Sequence, residues 1–564
     1  MKKTIVLLLS LVMVIGIFAG CAGNPTTTPT DGTTTATTTG STTGTAENPD
    51  VTESETPMKI IWNQGIGIDT LFENPQKDNT LMLASKMIWE SAAIWDANKS
   101  EYILTIAKEY GSNDDYSEFW VTFNDGITWH DGQPVTVEDL YFSLHAAILN
   151  PNSPASGNYK DIIGFQDAKD GITETVTGIS VADGKLTVKL ANGQWNWIGQ
   201  LLGLDLLPAH LFEGVAWADM DSSDYFKKPI GCGPYVINEV NFPDYFTLTR
   251  FDGYYGEPAG IKNVQALNLS GEATVAAVMA GSIDFANRTT VTSKEVADSI
   301  ELINKDVTTY AMPSYGTRCF FFNLGDRKDG AVKDDLQKKE VRQAFDILMD
   351  EIQIAAINQG TPSGTLVNPV SLEYNANCSR PYDVAAAKAL LDSAGFDYNN
   401  VYDFAYYYNE EVTHNAFALI KQLFAAAGVQ VNPILLEGNL ADLIYDTKNY
   451  DMLMLMATAS GVMMANNYSK LESTTSYTFM GLHEERGVIF DSLMEEYRSN
   501  PDAAKRKEIA LKLQELNFEH CYALSGYMYT NYVGVNTARI SVPEEVFVVD
   551  GNWNYQWHNW KILD

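Results

Sequence analysis

The stretch Phe123-Asn124-Asp125-Gly126-Ile127-Thr128-Trp129-His130-Asp131-Gly132-Gln133-Pro134-Val135-Thr136-Val137-Glu138-Asp139-Leu140 decides how the rest of this chain is read. Asp131-Gly132 forms a turn, and Pro134 fixes the direction in which the backbone leaves it. Thr136 caps a helix whose first turn carries Glu138 and Asp139, where carboxylates complement the positive end of the helix dipole. Turn and capping chemistry thus accounts for the acidic residues. A catalytic or metal-binding cluster of His130, Asp131 and Glu138 is not needed to explain them.

Working outward, strand-like runs occur at Lys59-Ile60-Ile61-Trp62, Phe119-Trp120-Val121-Thr122-Phe123, Lys185-Leu186-Thr187-Val188-Lys189-Leu190 and Tyr245-Phe246-Thr247-Leu248-Thr249-Arg250. The last two alternate, or nearly so, as half-buried strands do. Helical periodicity is clearest from Val341 to Asn358, from Asp383 to Ala394 before Gly395, and from Ala503 to Phe518. Strands and helices mixed in this irregular order, with no internal repeat, indicate an α/β body.

The chain has 564 residues, more than one core holds, since single cores stop growing near ~250 to 300 residues. Two or more lobes are expected. A hydrophobic share of 45% and a charged share of 20% are those of an ordinary globular protein. The formal net charge of -34 argues against binding nucleic acid or an anionic membrane surface, both of which call for a basic patch, and it disfavours strongly anionic ligands. A solvated acidic exterior explains most of that charge. Cys21, Cys232, Cys319, Cys378 and Cys521 form no CxxC pair and no zinc-ligand spacing, so no metal and no cofactor is expected. Buried free thiols are the default for the last four.

Lys2 and Lys3 precede an apolar run from Ile5 to Phe18, which ends in Phe18-Ala19-Gly20-Cys21. This is the layout of a signal peptide over 1–20, with an apolar run shorter than the ~20 residues a bilayer core requires. Cysteine directly after Ala-Gly resembles a bacterial lipobox, which implies lipidation of Cys21. Residues 21–56 then form a tether dominated by Thr, Gly, Ser and Pro, with little to bury. Such a tether would keep a globular body close to a membrane partner.

The opening segment resembles the signature of extracellular solute-binding protein family 5, the receptors of oligopeptide, dipeptide, nickel and oligosaccharide importers. Further similarities follow in the family's order: Pro229-Ile230-Gly231-Cys232-Gly233-Pro234-Tyr235, with Cys232 where Thr is usual, Ala280-Gly281-Ser282-Ile283-Asp284, Phe320-Phe321-Phe322-Asn323, Val341-Arg342-Gln343-Ala344-Phe345, and Ala387-Lys388-Ala389-Leu390-Leu391-Asp392-Ser393-Ala394-Gly395-Phe396. The resemblance implies a periplasmic-binding-protein-like two-lobed α/β fold of type II, in its three-domain oligopeptide-receptor variety. Domain I would comprise 57–103, 228–317 and 524–564, domain II 104–227, and domain III 318–523. Domains I and III would close on ligand like jaws, and the closed form is what a membrane partner recognises.

It further implies a monomeric receptor, not an enzyme, on the extracellular face of the cytoplasmic membrane, delivering a small polar ligand to an ABC permease and its ATPase subunits. An oligopeptide is the expected ligand, with a neutral oligosaccharide as the alternative. A surface-anchored hydrolase is a third reading, but the sequence has neither G-x-S-x-G nor HExxH. Peptide receptors of the family hold the α-ammonium through an aspartate after a Tyr-Asp pair. Here Tyr450-Asp451 matches, but Ala457 and Ser460 stand where tryptophan and the anchoring aspartate are usual. A buried ammonium without a charged partner is costly, so an α-amine is not expected to be held in that way. By alignment with the family, Tyr159, Asn287, Arg288, Phe320, Thr458, Ser460, Tyr527 and Tyr529 fall near the cleft. Trp553, Trp557, His558 and Trp560 could stack on a sugar, but indoles more commonly pack a core.

Overall fold

A computed structural model describes residues 54–63, 72, 74–76, 82–96, 99, 101–153, 155–269, 271–288, 290–458, 464–475, 477–548 and 554–563. The expected signal peptide, Cys21, the tether up to residue 53, Ser460 and Trp553 lie outside the described residues.

Two long strands organise the fold, Val307–Phe322 and Ala523–Asn536, paired antiparallel along most of their length. At one end of these two long strands, the last residues of Ala523–Asn536 join Phe285–Ala286, and through it Met58–Asn63, Asn263–Asn268, Tyr245–Arg250 and Tyr235–Asn241. Their other ends join Met452–Thr458, Val401–Tyr406 and Gln430–Leu435. Between these halves the register shifts twice, from Pro313 to Thr317 and from Arg318 to Phe320. An extra residue on one strand bends and twists it, so the sheet changes direction where the two strands cross between halves.

Each half has its own apolar core. One gathers Phe321, Phe345, Phe404, Phe424 and Leu453 beneath the helices. There the Phe345 ring meets Phe396, Tyr402, Phe404 and Phe424 at centroid distances of 5.1 to 6.1 Å. Burying such a ring contributes ~1.5 to 3 kcal/mol. The other core gathers Trp62, Phe72, Phe246, Val264, Phe285 and Trp560. A separate four-stranded antiparallel sheet, in the order Ala107–Ser112, Glu118–Phe123, Lys185–Lys189 and Ile179–Ala182, packs under the helix Val137–Leu149 around a third core containing Trp129 and Leu186.

The deciding segment folds as a turn and a cap. Gly132 has φ +86°, a conformation open to glycine, and the Gln133 N–H donates to the Asp131 carboxylate at 3.0 Å. The Thr136 N–H donates to the Asp139 carboxylate at 2.9 Å, one arm of a capping box. His130 links this motif to the next one: the Gly231 N–H donates to its Nδ1 at 3.1 Å, and its Nε2–H donates to the Gly233 carbonyl at 3.0 Å. Those roles require a neutral ring, and burial pushes the imidazole down to about 4. At Gly231 a Cβ would overlap the Ile88 carbonyl, which explains a glycine there.

The other motifs are likewise joints. Asp284 accepts from the Lys59 N–H at 2.7 Å and from Arg539 Nε at 2.7 Å, tying three distant segments together. Buried Arg342 donates to the carbonyls of Leu336, Gln337 and His520. The Val341 to Asn358 periodicity resolves into two helices rather than one, Lys339–Leu348 and Glu351–Ile357. The break falls where the Asp350 side chain accepts from the Gln353 N–H at 3.1 Å and starts a new helix. Asp383 and Asp502 cap the other two expected helices, Val384–Ser393 and Ala503–His520. Cys232, Cys319, Cys378 and Cys521 are buried and unpaired.

Candidate functional site

Where the long strands cross, a cleft of about 260 Å³ opens between the two halves of the large sheet. One wall is Arg288 with Thr292 to Glu295 at the start of the helix Lys294–Ile303. The opposite wall is Ile357 to Gln359 with Glu410, Val412 and Thr413 at the start of the helix Glu411–Ala426. The floor is the bent part of the crossing strands, Arg318, Tyr527 and Tyr529 through Tyr532. Across the opening, the Gln359 amide donates to the Glu295 carboxylate, a direct contact between the walls.

Of the residues expected at a ligand cleft, Arg288, Tyr527 and Tyr529 meet here. The Tyr527 hydroxyl donates to Asn358 at 2.9 Å, which orders the phenol against the wall. Asn287 sits one residue outside the lining and accepts from the Thr290 hydroxyl at 3.3 Å. Thr458 faces Gly316 across the sheet at the end of Met452–Thr458. Two expectations are corrected. Tyr159 is 3% exposed within the core of the small sheet, edge-on to Trp197 at 6.5 Å, and is not part of this cleft. Phe320 is 1% exposed and packs beside Phe417, in the core and not in the cleft.

The Tyr450-Asp451 pair is structural. Arg327 Nη1 donates to Asp451 at 2.7 Å, and its Nη2 donates to Asp329 and Asp403 at 2.9 Å each. The second Asp451 oxygen accepts from the Asp403 N–H at 2.8 Å. Both oxygens of that carboxylate are thus engaged by the protein, and Asp451 is buried. Met452 to Leu455 are core, as Met runs more commonly are. Trp560 is fully buried, 4.9 Å from Trp557 by centroids, and its indole N–H donates to the Tyr555 carbonyl, so packing explains it.

Sequence reasoning missed Arg318. Its guanidinium lies 3.2 Å from the centroid of the Tyr408 ring and 5.5 Å from that of Tyr529. A lone arginine inside Tyr315-Gly316-Thr317-Arg318-Cys319-Phe320-Phe321-Phe322 was the available signal, since a charge inside an apolar strand needs a reason.

A second cavity, of about 130 Å³, is lined by Lys86, Trp89, Glu90, Tyr254 and Trp557 among others. Glu90 accepts there from the hydroxyls of Tyr254 and Tyr255, and burial pushes its carboxyl up to about 7.

Comparison with known proteins places this geometry among relatives. Residues 101–479 match the model of bacterial extracellular solute-binding proteins, family 5. The oligopeptide-binding protein OppA of Lactococcus lactis subsp. cremoris is 22% identical over 369 residues, 61% of this chain and 59% of that protein. The match thus spans about three fifths of that relative's length. Among solved structures, the ABC transporter substrate binding protein CtaP from Listeria monocytogenes has a TM-score of 0.74 at 20% identity, covering 90% of this chain and 99% of the other. The oligopeptide-binding protein AppA from Bacillus subtilis, in complex with a nonapeptide, has a TM-score of 0.66 at 16% identity, covering 90% of this chain and 99% of the other. The fold is therefore the two-lobed α/β fold of periplasmic binding proteins of the oligopeptide-receptor type.

Proposed function

Because the chain belongs to the bacterial extracellular solute-binding proteins of family 5, we propose that it is a receptor that captures a small polar ligand in the cleft above its crossing strands and hands it to an ABC importer. The observation that carries this reading is the cleft itself. Its walls come from the two halves of the sheet, its floor is the bent crossing, and Gln359 and Glu295 already touch across it. A ligand bridging both walls would stabilise the closed arrangement by its differential affinity for it. Domains I, II and III, with the boundaries expected from sequence, would be the units that move.

An oligopeptide is the ligand we favour, as the OppA and AppA relatives are oligopeptide-binding proteins by name and AppA holds a nonapeptide. Aromatic side chains with hydroxyls and amides, here Tyr527, Tyr529, Asn358 and Asn531, suit a peptide backbone. They also suit a neutral oligosaccharide, the second reading. Cys21 would carry the lipid that retains the receptor at the extracellular face of the membrane, beside its permease and ATPase partners. Replacing Cys21 by Ser should release the protein or leave unprocessed precursor, and normal lipid labelling of the variant would refute the anchor. For the receptor reading, calorimetric titration with peptide pools and with maltotriose is the test, with the ligand recovered unchanged. A hydrolysed product would point to the surface hydrolase instead. A free α-ammonium should not matter, and a tenfold loss on N-acetylation, ~1.4 kcal/mol, would contradict that.

A further inference from the structure

The floor of the cleft carries a guanidinium with two donor atoms that no other described residue meets. Arg318 sits between the two register shifts of the crossing strands, opposite Tyr527 on one side and Met456 on the other. Its Nε and Nη1 atoms are buried and have no hydrogen-bond partner among the described residues. Those atoms belong to different edges of the planar guanidinium, so each edge keeps an unmet donor. Buried polar groups are otherwise nearly always satisfied, and buried charges are normally paired. In the same half, every guanidinium nitrogen of Arg327 has an acceptor, as do Nε and Nη1 of Arg342.

What Arg318 has instead is aromatic. Tyr408 and Tyr529 present ring faces to the guanidinium, which hold it in place without consuming its donors. The acids of the cleft are engaged elsewhere: Glu295 accepts from Gln359, and Glu410 accepts from the Thr413 hydroxyl at 3.0 Å. Arg288 and Lys294 add positive charge to the lining, although Lys294 pairs with Asp298 at 2.7 Å. In a chain of net charge -34, three cations against two carboxylates around one cleft reverse the prevailing sign.

Resting on the receptor reading above, we infer that Arg318 is a ligand-recognition residue and that the ligand presents a carboxylate to it. A carboxylate matches the planar fork of a guanidinium and supplies the acceptors that the edges lack. This deepens the peptide reading, in which the carboxylate is the chain terminus, and it excludes a neutral sugar while admitting a uronic one.

The test is thermal-shift and calorimetric binding on the folded, full-length mature protein. The probes are a pool of random hexapeptides lacking Asp and Glu, the same pool amidated at the C-terminus, trigalacturonate and maltotriose. At least one acid should bind ten times or more tighter than its neutral counterpart, and the responding acid, peptide or uronate, identifies the source of the carboxylate. Arg318→Gln should abolish that preference, and Arg318→Lys should retain part of it. Without ligand, Arg318→Gln should melt at or above the wild-type temperature, because it removes two buried donors that lack acceptors among the described residues. Equal binding of acid and neutral members, or a preference that survives in Arg318→Gln, overturns the inference and leaves the receptor standing. Failure of every probe to bind wild type overturns the receptor reading and this inference with it.

Discussion

Lowering the pH should loosen the joint between the two glycine-bearing motifs, and His130 sets how much. The unfolded imidazole takes up a proton near its ordinary value of 6.5, while the folded one resists down to about 4, because the ring is buried. Between those values the unfolded chain binds more protons than the folded one, so stability falls as the pH drops. Above 6.5 the full contribution is present; below 4 it is lost. The slope within the window is ~1.4 kcal/mol per pH unit, and from pH 7 to pH 4.5 the loss from this one group comes to about 2 kcal/mol. Carboxylates titrate in the same range, so the informative quantity is a difference between proteins. Urea unfolding of wild type and of His130→Gln, each near pH 7 and pH 4.5, isolates it. His130→Gln should be less stable at pH 7, where the two hydrogen bonds to Gly231 and Gly233 are lost, and the gap should narrow or reverse near pH 4.5. A gap of the same size at both pH values would refute the neutral, buried imidazole.

Asp451→Ala should cost ~1 to 3 kcal/mol or more in the same unfolding assay, because it leaves Arg327 Nη1 and the Asp403 N–H without the acceptor they share. A change below about 1 kcal/mol would show that the pair is not structural. Gly231→Ala should reach at least the upper end of the ~1 to 3 kcal/mol typical of overpacking, since its Cβ would overlap the Ile88 carbonyl, and a variant as stable as wild type in thermal melts would contradict that close approach.

What was legible in the sequence was local. Turn and cap residues such as Asp131-Gly132 and Thr136 act within three residues of themselves, so their chemistry can be read in one dimension. The strand Tyr245–Arg250 falls where alternation put it. The family order of motifs also pointed to the fold, although each motif proved to be a joint between distant segments: His130 with Gly231, Asp284 with Arg539. The cleft was less legible. Arg288, Tyr527 and Tyr529 were anticipated by resemblance, but Phe320, two residues along the strand from Arg318, is buried beside Phe417 and not in the cleft. Tyr159 was placed by alignment near a wall and is instead a core residue. Arg318 depends on Tyr408 and Tyr529, 90 and more residues away, and no spacing rule reveals such a stack. The single helix expected over Val341 to Asn358 failed for a readable reason, as Asp350 is a strong cap inside an apolar period.

The central claim is that this protein closes on a ligand held between the halves of its sheet, and small-angle X-ray scattering of the mature chain with and without saturating random hexapeptides tests it most directly. The account predicts a smaller radius of gyration with the peptide pool bound, reversed when the peptides are removed. An unchanged radius while calorimetry shows the peptides bound would contradict it.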